Sequence, residues 1–340
     1  MRAVRSAVFG YARRSVAKTF DPIVNVQTWF QTLKDRTFLD GFIERFSIPS
    51  AELVDHWNRD PTASLSLAAL GPPWNRPLIR LDDVHVVAPL PPLIDNANGE
   101  GMYYSVFDRY DDATKGTFSQ CFGYFLQDYV RGVFDAAYAG VPDCAVDGDV
   151  EYGKGGGRRT SDTVIFEGDD VIFVEVVAKR VNLKGAVLEL DEESIRSVLK
   201  AGVRKKLKQL DTNVRAFLEG RTFADRPRPA GQRIFAVIVT PVPYPHLYVT
   251  TAYIPAVLAE EGWLKDVKSI EIADVEEIEI LEDSVPGGFR FGAFLAEKAA
   301  TAPGIPLKNF LAGRPDVGRG EPAIGRGAAV IDRIGKRLRR

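Results

Sequence analysis

Cysteine is nearly absent from this chain. Cys121 and Cys144 are the only two in 340 residues, too few for a disulfide framework or a thiolate zinc site, and the scarcity fits a reducing cytoplasm. Histidine is almost as rare: His56, His85 and His246 lie far apart, without the HExxH or HxE spacing that puts metal ligands on one face. With no Gly-x-Ser-x-Gly elbow either, serine and cysteine nucleophile schemes lack an identifiable base. No apolar run approaches the roughly 18 residues that a membrane span needs. The glycine run "GKGGGRRTS" lacks the Gly-Lys-Ser/Thr ending of a phosphate loop and precedes a strand, so it reads as a hairpin turn.

A large net charge is missing too, at −2, but the distribution is uneven. Residues 1–20 carry five basic side chains and no acid, and residues 314–340 carry eight against three acids, which leaves the stretch between them at −12. A phosphate-binding surface would therefore have to be a local patch. The basic start resembles an organellar presequence without the apolar block of a secretory signal, and reads as a basic arm. Apolar residues at 45% and charged residues at 26% are ordinary globular usage.

Along the chain, residues 21–60 place Val26, Trp29, Phe30, Leu33, Phe38, Phe42 and Phe46 at near-helical spacing, which predicts short amphipathic helices closed by Pro49 and the "GPPWNRP" run. The stretch "LIRLDDVHVVAPLPPL" reads as short strands interrupted by proline. A core-facing helix is predicted over about 117–137. The period then changes to that of strands in "AVDGDVEYG", "RTSDTVIFEG" and "DVIFVEVVAK", with turns at 153–157 and 168–170. The third of these is apolar on both faces, as a central strand should be. A helix over 192–218, a buried strand in "RIFAVIVTPV", helices near 252–262 and 288–300, and a strand or short helix in "VKSIEIADVEEIEIL" complete the order. The expected architecture is α/β (α+β): an N-terminal helical region (1–77), a domain with a mixed central sheet flanked by helices (78–300) and a disordered, Gly-, Pro- and Arg-rich basic tail (301–340).

Two carboxylates stand where carboxylates are costly. Glu175 falls in the middle of the apolar third strand, where an ionised group costs several kcal/mol unless paired or metal-bound. Asp162 interrupts the second strand, and pairing the two strands as a hairpin around Gly168 brings both side chains to one notch. Two carboxylates are a sufficient protein contribution to a Mg²⁺ or Mn²⁺ site, which completes its shell with water and substrate phosphate. A purely structural alternative pairs Glu175 with Lys179 and makes Asp162 a turn cap.

The segment "SD-x12-EVVAKR" resembles the PD-(D/E)XK nuclease motif, and "FGYFLQDYV" resembles the "FG-x-x-F-E-x-Y-V" helix of bacterial members of that superfamily. The resemblance spans residues 78–300. It implies a restriction-endonuclease-like core and a metal-dependent nuclease acting on DNA, with Asp162 and Glu175 as metal ligands. The family's lysine position is occupied by Val177 and its helix glutamate by Gln127, so Lys179 is the expected substitute, although it lies about 13 Å along the strand from Glu175. Arg196, Lys200, Arg204 and Lys208 repeat every four residues on the long helix, joined by Lys205 and Lys206; with Arg158 and Arg159 they form the candidate DNA contact, and Gln209 is a further candidate. The departures at Gln127 and Val177 also fit a nuclease-derived fold that has lost catalysis and serves as a nucleic-acid-binding or assembly module. On either reading, the N-terminal helical region is the expected place for a protein partner. Restriction, repair and anti-phage defence all use this fold.

Overall fold

In the strand β9 (Asp170–Val176) every residue is buried, so both faces must be covered and both edges paired. The computed structural model describes residues 23–29, 31, 36–59, 76–87, 103, 107, 109–153, 157–179, 192–226, 229, 231–242, 249–312 and 314–318. The chain divides into two units: residues 1–115 with 183–191 and 325–340, and residues 116–182 with 192–324.

The described part of the first unit contains strands β1 (Ile23–Asn25), β2 (Ser47–Pro49), β3 (Leu78–Arg80) and β4 (His85–Val87), with helices α1 (Arg36–Phe46) and α2 (Ser50–Arg59). The strands form a small sheet in the order β1-β4-β3-β2, antiparallel except for the β2–β3 pair. The expected helical region at 1–77 contains helices α1 and α2 but also strands β1 and β2, a correction to that expectation. Strands β3 and β4 fall in the stretch read as short strands, whereas Ile23–Val24 and Ile48 pair with Val86–Val87 and Ile79 across long sequence separations that local periodicity does not register. This unit also runs on past residue 77. The basic arm at 1–20, the "GPPWNRP" run up to Asn75 and His246 lie outside the described residues.

The second unit carries the larger sheet. Helix α3 (Asp112–Ala137) starts five residues ahead of its expected beginning, because Asp111 Oδ1 accepts the backbone N–H of Thr114 at 2.8 Å and caps the first turn. After it come β5 (Cys144–Asp147), the two-residue strands β6 (Glu151–Tyr152) and β7 (Arg158–Arg159), and β8 (Thr163–Glu167) before β9. Glu167 pairs with Asp170 across a two-residue turn whose first member, Gly168, has φ 58°, a value glycine adopts without strain. Helix α4 (Glu192–Leu199), a π-helical turn (Lys200–Arg204) and α5 (Lys205–Leu218) then lead to β10 (Arg233–Thr240). A second π-helical turn (Val249–Tyr253) and α6 (Ile254–Glu261) precede β11 (Ser269–Asp274). The "VKSIEIADVEEIEIL" segment proves to be both strand and helix, since β11 runs directly into α7 (Val275–Glu279) and α8 (Leu281–Ser284). Asp274 and Glu277 form a reciprocal capping box at that junction.

The sheet order is β11-β10-β9-β8-β5, antiparallel from β5 to β9 and parallel from β9 to β11. One face packs on α3 and on α9 (Phe291–Thr301) through Ile165, Ile172, Val174, Val176, Val237 and Val239. The other face carries Phe166 and Phe173 against Phe217 of α5, with ring centroids 6.2 and 5.7 Å apart. The unit is therefore a mixed sheet flanked by helices, as expected. The expected disorder from residue 301 is corrected: α10 (Leu307–Leu311) buries Leu307 and Leu311 in the core. Abundant Gly, Pro and Arg in that stretch conceal a short apolar helix. Residues 319–340 lie outside the described residues.

Candidate active site

Parity and register place the two carboxylates. Thr163 pairs with Val174, so Asp162, one residue outward, falls opposite Glu175 on the sheet face that meets α5. Asp162 Oδ2 accepts the backbone N–H of Val176 at 2.7 Å, which continues the hairpin through a side chain. Gly148 fixes the approach from the other side. It has φ 138°, and a Cβ there would stand 2.7 Å from Thr163 Cα and 2.9 Å from the Asp162 carbonyl oxygen, so only glycine lets the two backbones come this close. Asp149 then donates its N–H to the Ser161 carbonyl at 2.9 Å.

Both carboxylates meet one ammonium. Lys206 Nζ donates to Glu175 Oε2 at 2.7 Å and to Asp162 Oδ2 at 3.1 Å. The remaining oxygens are also engaged: Gln127 Nε2 donates to Asp162 Oδ1 at 3.0 Å, and Asn213 Nδ2 donates to Glu175 Oε1 at 3.2 Å and to Ser161 Oγ at 3.0 Å. The Glu175 side chain is 2% exposed. Burial pushes its carboxyl up to about 7, Lys206 opposing that rise and Asp162 adding to it. Burial works against the Lys206 charge, but Glu175 and Asp162 outweigh it and hold the amine above its ordinary value.

These groups lie in an open cleft of about 1270 Å³. Six cations line it (Arg131, Arg158, Arg159, Lys205, Lys206 and Lys208) against four carboxylates (Asp128, Asp149, Asp162 and Glu175). Lys206 is spent on the carboxylate pair, Arg159 on Asp149 and Glu151, and Arg131 on Asp135. Among the described residues, Arg158, Lys205 and Lys208 form no ion pair.

The residues singled out in the sequence divide accordingly. Asp162, Glu175 and Gln127 come together, and Gln209, Arg158, Arg159 and Lys208 line the same cleft. Lys179 does not take the place expected of it. Strand β9 ends at Val176, so the strand geometry that would have carried Lys179 back toward Glu175 stops short; Lys179 is exposed and does not line the cleft, and Lys206 supplies the amine. The proposed Glu175–Lys179 ion pair is replaced by Glu175–Lys206. Arg196, Lys200 and Arg204 border a different groove, beside α6, where Arg204 pairs with Glu260 and Glu261. A repeat of four is not the helical period of 3.6, and the π-helical turn interrupts the count, so sequence spacing does not hold the four basic residues to one face. Ser161 and Asn213 are site residues that the sequence reading passed over. The signal for Asn213 lies in α5, where Lys206, Gln209 and Asn213 fall at i, i+3 and i+7 beside the apolar stripe of Leu207, Leu210 and Val214.

Among the described residues, no group of three His, Cys, Asp or Glu side chains is arranged to hold a metal, and no helix is long and apolar enough to cross a membrane. Protein-family models, curated proteins and solved structures were compared with the chain, and none matches it.

Proposed function

We propose that this protein is a metal-dependent phosphodiesterase acting on DNA, built on a restriction-endonuclease-like core whose lysine has moved from the central strand to the helix behind it. The observation that carries the reading is the position of Lys206 Nζ, 2.7 Å from Glu175 and 3.1 Å from Asp162 at the open end of the β8–β9 hairpin. Supporting the reading, the antiparallel hairpin that bears the acids is followed by a helix and a parallel strand.

The donor set suits a hard cation. Two carboxylates converge from adjacent strands on a point that already holds one positive charge, and Mg²⁺ or Mn²⁺ needs no more than one or two protein carboxylates when water and phosphate complete its shell. Asp162 and Glu175 would hold the ion, which when bound neutralises charge on the scissile phosphate and lowers the pKa of a bound water. Gln127 and Asn213 orient the two carboxylates. The Lys206 ammonium orients the attacking water or stabilises charge on the phosphate. Arg158, Lys205 and Lys208 supply the unpaired positive charge that draws in a polyanion.

The test is cleavage of linear, circular and single-stranded DNA with Mg²⁺ or Mn²⁺. Asp162→Ala, Glu175→Ala and Lys206→Met are expected to lower the rate by about 100-fold or more, while Lys179→Ala stays near wild type. Equal loss in Lys179→Ala and Lys206→Met would reject the relocated lysine.

One observation favours a second reading, an inactive nucleic-acid-binding or assembly module. Every oxygen of the two carboxylates already has a partner within the protein, as a retired site kept for structure also requires. Wild type that binds DNA but cuts none of these substrates with either metal would select it.

A further inference from the structure

The cleft has an aromatic wall that phosphate chemistry alone does not use. Tyr124 lies on α3 three residues before Gln127, so it stands about 4.5 Å along the helix axis from the residue that touches Asp162. It lines the same cleft and is 59% exposed. Its hydroxyl accepts a hydrogen bond from Gln120 Nε2 at 3.2 Å, which steadies the tip of the side chain, and among the described residues no other ring stacks on it. An aromatic ring of this size gains by covering its faces, and this one stands exposed in a cleft that three unpaired cations and the carboxylate pair also line.

We infer that the cleft takes a single-stranded polynucleotide, with one unstacked base lying on Tyr124 while the backbone runs over Arg158, Lys205 and Lys208. The inference rests on the nuclease reading of this site and names its substrate class. Duplex bases are covered by their neighbours and offer no free face, so a stacking ring discriminates by strandedness, whereas the cations bind any phosphate backbone. Every base has a π face, so Tyr124 confers no sequence preference.

The experiment uses the full-length protein in chelator, where nothing is cut, with single-stranded deoxy- and ribo-oligonucleotides carrying one 2-aminopurine and with the matching duplexes. Wild type should bind a single strand more tightly than its duplex and quench the 2-aminopurine on binding. Tyr124→Ala should weaken single-strand binding about ten-fold and abolish the quenching, yet leave duplex binding unchanged. Tyr124→Phe, which lacks the hydroxyl but keeps the ring, should retain both, and Lys208→Ala should weaken single strand and duplex alike. Unchanged single-strand affinity in Tyr124→Ala, tighter binding of duplex by wild type, or no binding of either form would each overturn the inference. The nuclease reading fails separately: Tyr124-dependent binding without cleavage in Mg²⁺ or Mn²⁺ removes the chemistry and leaves the stacking site.

Discussion

Glu175 is held near the centre of the sheet with its carboxyl pushed up to about 7, against 4.5 ordinarily. The folded state therefore binds a proton that the unfolded chain has released over the range from about pH 4.5 to 7. This contribution to stability is complete below 4.5 and is lost as pH rises through 7, amounting to about 3 kcal/mol across the window. Urea unfolding in chelator at pH 5 and pH 8 measures it. Wild type should be the less stable at pH 8, and Glu175→Gln, which fixes the uncharged state, should flatten that difference. Parallel profiles for the two proteins would mean that Lys206 keeps Glu175 ionised throughout. The carboxylates themselves were legible in the sequence, because an acid inside a strand apolar on both faces needs a reason. Lys206 was not: it lies 31 residues from Glu175, in a helix with several lysines, and only the packing of α5 on the sheet selects one of them.

At the scale of elements, the site depends on how the segment 148–152 enters beside β8. Gly148 has φ 138° and no room for a Cβ against Thr163, so Gly148→Ala combines backbone strain with overlap at the residue next to Asp162. A loss of about 2–4 kcal/mol is expected from the two effects together. Because the displaced backbone carries Asp162, cleavage should fall further than the loss of folded protein explains. Urea unfolding and activity measured on the folded fraction separate these, and a variant with unchanged stability would mean that the loop relaxes away from Thr163. The strands and helices around this point follow from local pattern: runs of Val, Ile and Phe mark β8 and β9, the latter interrupted by Glu175, and spacings of three and four mark α3 and α5. What periodicity does not carry is which face of one element meets which face of another. The basic row on α4 and α5 shows the consequence, since Lys208 reaches the cleft while Arg204 is taken up by Glu260 and Glu261 on α6.

At the scale of the whole unit that carries the site, α3 and α5 both line the cleft, whereas α9 and α10 pack on the sheet face away from α5, and α10 comes from the stretch whose composition resembles a tail. Leu307 and Leu311 are buried there, the Lys308 N–H donates to Glu277 Oε1 at 2.5 Å, and farther on the Gly318 N–H donates to Ser284 Oγ at 2.8 Å. Ending the chain after Thr301 removes all of these. At about 1.5–3 kcal/mol per buried leucine, it should lower stability by about 3–6 kcal/mol relative to a chain ending after Gly318. None of the residues that touch Asp162 or Glu175 is deleted, so at a temperature where the shorter chain is still folded its rate per folded molecule should match that of the longer one. A shorter chain of unchanged stability would mean that α10 only covers a core already closed by α9. A stable but inactive one would mean that the far face of the sheet sets the position of Asp162 and Glu175 at the open end of the β8–β9 hairpin.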